Sequence, residues 1–185
     1  MPVSEKKLRS NPAWIKRHLT DPFVKKSVQE GYRARSVYKL MEIDDKDKII
    51  KPGMSVVDLG AAPGSWTQIV KERLTDKDGK IDGKVIAMDI LPMEPIEGVH
   101  FLQGDFREQE VADKLTDLLE GELALDFAKE NLKKNGSFVC KVFQGSGYSQ
   151  YVEACKKTFR KVSVRKPEAS RSSSAEVYIV ARDLK

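Results

Sequence analysis

The strongest constraint on the fold is the stretch VVDLGAAPGSWTQIV, residues 56–70, in which a β-branched run ends on Asp58, turns through small residues and resumes as a helical pattern. Such a strand–turn–helix unit buries its apolar faces only beside parallel neighbours in a sheet covered by helices. Further runs of the same kind follow: GKVIAMDI, VHFLQGDF, GSFVCKVF, KVSVRKP and AEVYIVARD. Helical patterns separate some of them: SWTQIVKERL, EVADKLTDLL, ELALDFAKENLKKN and YSQYVEACKKTF. The alternation predicts an α/β fold, a mostly parallel sheet with helices on both faces and right-handed crossovers. Residues 161–165 and 176–181 lie too close together for an intervening helix and predict an antiparallel C-terminal hairpin. Upstream, Val28, Tyr32, Val37, Leu40 and Ile43 have the spacing of a broken helix.

With 185 residues, 40% of them hydrophobic, the chain suits one domain, expected over 25–185 behind a basic N-terminal arm, 1–24. No apolar run approaches the roughly 20 residues of a membrane span, and the start MPVSEKKLRSNPAW lacks the apolar centre of a secretion signal. A cytoplasmic monomer is expected. Cys140 and Cys155 match no zinc spacing and His18 and His100 stand alone, so no metal is expected and the thiols read as reduced packing residues.

Charge is segregated along the chain. Residues 1–51 carry 13 Lys/Arg against 7 Asp/Glu, residues 141–185 carry 10 against 4, and the centre carries 10 against 17. Stretches such as KKSVQEGYRARSVYK and FRKVSVRKPEASRSSS interleave cations with aromatics and hydroxyls, a composition suited to phosphate contact and base stacking. Solvated charged faces are the plainer explanation for such runs.

In an open α/β sheet, ligands bind beyond the carboxyl ends of the strands. That places a cofactor over residues 58–66, with Asp58, Gly60 and Gly64 in the turn. Neither Gly-x-Gly-x-x-Gly nor Gly-Lys-Ser/Thr is present, which disfavours a phosphate cradle. The second strand ends on Asp89, placed to accept ribose hydroxyls, and the third ends in GDF, bringing Asp105 and Phe106 to the same crevice. Each aspartate alone reads as a strand-end or capping residue. Together they suit a ligand with an amine, a ribose and an adenine but no phosphate, which describes S-adenosylmethionine.

RARSVYKL, VVDLGAAPGSW, LQGDF, KVFQGSG and VRKPEASRSSSAEVYIVA, in this order between about Lys25 and Ala181, resemble the FtsJ/RrmJ family of S-adenosylmethionine-dependent RNA ribose 2′-O-methyltransferases. The resemblance implies a Rossmann-like methyltransferase fold. It also implies an RNA substrate, a uridine of large-subunit ribosomal RNA, and cofactor contacts at Gly64, Trp66, Asp89 and Asp105. The family's catalytic set is Lys, Asp, Lys, Glu, and the motifs carry it onto Lys39, Lys141 and Glu176. A ribose hydroxyl is a poor nucleophile that must be aligned and deprotonated as it attacks, and a lysine accepts that proton only through its neutral fraction. Glu176 is assigned to orienting a lysine. Outside the motifs, both lysines would read as surface residues and Glu176 as a polar strand residue.

One element is missing. The family carries an Asp-containing strand of the SDMAP kind between GDF and KVF, whereas residues 107–136 here are helical pattern broken once at Gly121. Asp117 and Asp126 sit on helical pattern and do not replace the strand-end aspartate. Two helices in succession lack the strand they would share, so a discontinuity is expected between Leu119 and Leu123, reflecting an omitted segment of at least roughly a dozen residues. Two other classes stay open. A catalytically inactive RNA-binding module is supported by the missing Asp, and an α/β enzyme acting on a small molecule or protein is disfavoured by the basic ends.

Overall fold

In the computed structural model of the chain, residues 12–105, 132–145 and 147–185 are described. Phe106 and the junction between Leu119 and Leu123 lie outside them.

Three helices open the described chain: α1 (Pro12–Thr20), α2 (Pro22–Gln29) and α3 (Val37–Asp47). Asp21 caps α2, its carboxylate accepting the Phe23 amide at 3.0 Å ahead of a proline whose missing N–H costs nothing there. Asp21 also pairs with Arg35 and, at 3.3 Å, with Arg171. The segment read as an arm is therefore helical from residue 12, and the boundary placed after residue 24 falls inside α2.

The turn unit follows as β1 (Met54–Leu59) and α4 (Ser65–Leu74), then β2 (Gly83–Asp89) and β3 (His100–Gln103). β1 pairs parallel with β2 and β2 parallel with β3, with Asp58 opposite Ala87 and Asp89 opposite Gln103. The second half contains β4 (Ser137–Phe143), α5 (Tyr148–Thr158), β5 (Phe159–Arg165) and β6 (Glu176–Leu184). β6 lies between β4 and β5 and pairs antiparallel with both. The C-terminal hairpin is present, and β1, β2 and β3 run parallel with α4 between the first two, as the alternation implies, while the helical patterns EVADKLTDLL and ELALDFAKENLKKN lie outside the described residues but for the last residues of the second.

The sheet differs from expectation in one respect: the described strands form two three-stranded sheets, β1-β2-β3 and β4-β6-β5. Among the described residues β1 and β4 each have a single partner strand, and their side chains are mostly half-buried. Their partners β2 and β6 are buried along most of their length. A strand buried on both faces reads as a continuous apolar run, and VIAM in β2 and VYIVA in β6 do.

One core joins the halves. Val37, Leu40 and Ile43 of α3 pack with Ile69 and Val70 of α4, Val85 of β2, and Tyr178 and Val180 of β6. Burying each such side chain contributes about 1.5–3 kcal/mol. α3 is pinned at its far end by Asp47, which takes both Arg165 Nε and Nη2 at 2.7 Å and the Arg182 Nη1 donor on its backbone oxygen at 2.9 Å. That fork holds the Asp47 carboxyl below its ordinary range despite burial, with the charges of Arg165 and Arg182 acting the same way. The helix carrying Lys39 is thus fastened to β5 and to β6, the strand that carries Glu176.

Candidate active site

The crevice forms where β1 and β2 end. Asp58 Oδ2 accepts the Thr67 hydroxyl at 2.7 Å, so its carboxylate lies beneath the turn and holds the first turn of α4. Burial raises the Asp58 carboxyl above the ordinary carboxylate range, the Thr67 hydrogen bond opposes the rise, and the Asp89 charge adds to it. The amides of Gly60 and Ala61 donate to the Met88 carbonyl at 2.9 and 3.0 Å, stitching the turn onto β2. Gly60 has φ +75°, and a Cβ there would meet nothing within 4 Å, so the turn presents bare backbone to open space. Gly64 has φ +104°, a left-handed conformation that favours glycine, and a Cβ would come within 2.7 Å of Met93 Sδ and 2.8 Å of Arg33 Nη1, so those side chains would have to shift. α4 begins immediately after it, its amide end directed to the turn.

Asp89 is half-buried and engaged by backbone on both oxygens: Oδ2 accepts the Ala62 amide at 2.9 Å and Oδ1 the Leu91 amide at 2.8 Å. A carboxylate offers about four lone-pair sites, so two remain for a pair of hydroxyls. The Gly104 amide donates to the Asp89 carbonyl at 2.9 Å, which brings Asp105 to the same end of the sheet. A small-residue turn, a half-buried acid beneath it and a half-satisfied carboxylate beside it fit an aminoacyl nucleoside without phosphates.

The second cluster is built by α3 and β6. Lys39 Nζ lies 2.5 Å from Glu176 Oε1 and 5.8 Å from the centre of the Tyr178 ring. The same oxygen accepts the hydroxyls of Tyr178 at 3.0 Å and Ser170 at 3.2 Å. Burial pushes the Glu176 carboxyl up, and the Lys39 hydrogen bond and charge, helped by Tyr178 and Ser170, more than reverse this and leave it below its ordinary value. Burial and the adjacent Glu176 charge drive the Tyr178 phenol well above its ordinary range, so it serves as a donor. Lys141 stands opposite Tyr178 in the β4–β6 register, on the face that carries Glu176. It is exposed, lies 5.6 Å from the Phe143 ring, and among the described residues makes no ion pair.

Trp66 connects the two clusters. Its indole N–H donates to the Ser36 carbonyl at 2.9 Å, and its ring lies 5.7 Å from that of Tyr178. Sequence reasoning did not single out Ser170, Tyr178, Ser36 or Arg33. Ser170 and Tyr178 stand inside the quoted motif VRKPEASRSSSAEVYIVA, but neither residue's spacing signals a contact with Glu176. No group of three or more His, Cys, Asp or Glu residues suited to a metal occurs among the described residues.

The profile of the FtsJ-like methyltransferase family matches residues 32–123 and 121–184. The ribosomal RNA large subunit methyltransferase E of Burkholderia lata is 46% identical over 97% of this chain and 98% of its own length, and that of Bordetella pertussis is 46% identical over 93% and 96%. A solved structure from Plasmodium falciparum, described as a ribosomal RNA methyltransferase, superposes with a TM-score of 0.66 at 25% identity, covering 83% of this chain and 98% of that one. A second, from Clostridium thermocellum, shares the fold with a TM-score of 0.52 at 14% identity. The Burkholderia lata match runs over 215 positions against the 185 residues here, so that relative carries at least 30 residues without a counterpart. The family match breaks at 121–123, between β3 and β4 in chain order and outside the described residues. The chain belongs to the FtsJ-like methyltransferase family.

Proposed function

We propose that this protein transfers a methyl group from S-adenosylmethionine to a ribose 2′-hydroxyl of RNA, with a uridine of large-subunit ribosomal RNA as target. The observation that carries the reading is the Lys39–Glu176 pair at 2.5 Å, held beside the cofactor turn by Trp66 and Ser36. The large-subunit enzymes at 46% identity support the ribosomal target. Residues 58–66, Asp89 and Asp105, with Phe106 following, hold the cofactor, whose sulfonium supplies an electrophilic methyl.

The residues of the second cluster prepare the hydroxyl. Glu176 fixes the Lys39 ammonium, which in turn binds a negative oxygen of the sugar–phosphate and aligns the ribose. Lys141, with no ion pair among the described residues, accepts the 2′-hydroxyl proton through its neutral form as the oxygen attacks. Glu176 orients and does not transfer a proton. The segregated positive charge at both ends of the chain supplies phosphate contacts. The protein acts as a cytoplasmic monomer, with a basic N-terminal segment ahead of one methyltransferase domain. No helix among the described residues is long and apolar enough to cross a membrane.

The break at 121–123 favours a second reading, an inactive RNA-binding module that retains the cofactor turn but lacks the Asp-bearing strand. One assay separates the two: radiolabelled S-adenosylmethionine with unmodified large subunits, free ribosomal RNA and a control protein. Label in ribosomal RNA establishes the enzyme. Cofactor and RNA binding without label establishes the module, and label in the control protein removes both.

A further inference from the structure

Arg33 joins the two loops that border Asp89. Its Nη1 donates to the carbonyls of Pro63 at 3.1 Å and Glu94 at 2.7 Å, and its Nη2 to the carbonyl of Pro95 at 3.0 Å. Pro63 belongs to the cofactor turn; Glu94 and Pro95 belong to the loop that follows β2. Pro63 and Pro95 carry no N–H, and the segment LPMEP has few donors with which to close a turn of its own. A guanidinium with five donors in a rigid fork supplies what these loops lack, which a lysine could not.

The same short segment leads into α3. The Arg33 amide donates to Gln68 Oε1 of α4 at 2.9 Å. Ser36, immediately before the helix, shares a 2.8 Å hydrogen bond between its hydroxyl and that of Ser65, the first residue of α4. The Ser36 carbonyl accepts both the Trp66 indole and the Lys39 amide, the latter at 3.1 Å. From Pro63 and Glu94 to Lys39 the connection is an unbroken series of hydrogen bonds and one turn of chain.

We propose that Arg33 is a positioning residue that couples occupancy of the cofactor crevice to the order of the first turn of α3, and so to the placement of Lys39. A ligand seated between the turn and the Asp89 loop restrains both. Because one guanidinium holds both, that restraint passes through Arg33 and Ser36 to the helix start. The inference rests on the assignment of S-adenosylmethionine to this crevice. If Arg33 only stapled two surface loops, its loss would lower stability and cofactor affinity and leave the response of α3 to bound ligand as it is in the wild type.

The test uses the full chain and S-adenosylhomocysteine at saturation, established for each protein by calorimetry, with amide hydrogen exchange of residues 36–40 followed by mass spectrometry. In the wild type, ligand should slow exchange in this segment by about five-fold or more, a typical coupling between sites. In Arg33→Ala and in Ser36→Ala, each saturated, the slowing should fall below about two-fold, Ser36→Ala keeping its affinity within about three-fold of wild type. Arg33→Lys should not restore it. Equal slowing in variants and wild type overturns the proposal, as does a wild type that binds ligand without slowing. A wild type that binds no S-adenosylhomocysteine removes the cofactor assignment together with this inference, and calorimetry alone identifies that case. Should Arg33→Ala fail to fold, Ser36→Ala decides the question.

Discussion

Lys39 and Glu176 meet at 2.5 Å although 137 positions separate them in the chain, and the pair is largely shielded, with side chains 14% and 12% exposed. Removing one partner leaves the other charge in a poorly hydrated place. Glu176→Ala should therefore cost about 2–4 kcal/mol in urea unfolding, near the range for broken buried pairs. Lys39→Met, which keeps the aliphatic packing against Tyr178, should cost less and still abolish methyl transfer. Equal stability of Glu176→Ala and wild type would show that the pair is solvated in solution.

The pH dependence of stability follows from the same residue and from Asp47. Both carboxyls titrate in the folded protein below their ordinary values of 4.5 and 3.8. Their contribution is complete above those values and is lost as pH falls below them, because the unfolded chain then binds more protons than the folded one. Asp47→Asn should lower stability at neutral pH and flatten the decline below about pH 4, measured by denaturant titrations at stepped pH.

Asp58 has the opposite sign. Its folded carboxyl is raised, so ionisation opposes folding, and stability falls as pH rises from the ordinary value of 3.8 through the folded one. Asp58→Asn retains an acceptor for Thr67 and removes the charge. It should raise the melting temperature at neutral pH while weakening S-adenosylmethionine binding about ten-fold or more, the loss expected for a charge-assisted contact of about 1.5–3 kcal/mol. Unchanged affinity would remove Asp58 from the cofactor site.

Asp89→Ala should weaken the cofactor by at least about ten-fold, because two backbone amides lose their acceptor together with the proposed ribose contact. Asp89→Asn keeps one acceptor oxygen and should fall between the two. Calorimetry showing full affinity in Asp89→Ala would exclude the residue from the site.

Lys141→Ala should abolish methyl transfer with cofactor affinity within about two-fold of wild type, since Lys141 lies on β4 and the proposed cofactor turn on the β1–α4 junction. Its RNA binding should weaken only slightly, one contact among many. For the wild type, the logarithm of RNA affinity should fall linearly with the logarithm of salt at a slope near −0.7 for each phosphate contacted on single-stranded RNA. Turnover in Lys141→Ala would reject the assigned base, and a flat salt dependence would reject the basic ends as the RNA footprint.

Periodicity and turn chemistry were enough to place the local elements. SWTQIVKERL is α4 residue for residue, KVIAMD lies in β2, and the closeness of 161–165 to 176–181 dictated an antiparallel pair, because these depend on neighbours a few positions apart. The same local logic exposed the gap between GDF and KVF, since two helical patterns in succession leave a crossover without its strand. What local pattern cannot contain is the pairing of distant groups. That Lys39 meets Glu176, that the Trp66 indole reaches the Ser36 carbonyl, and that Arg33 spans two proline-bearing loops all follow from how α3 and the segment leading into it lie across α4 and β6. Those contacts join residues up to 137 positions apart and arise only when burial of Val37, Leu40 and Ile43 brings the helix down onto the sheet.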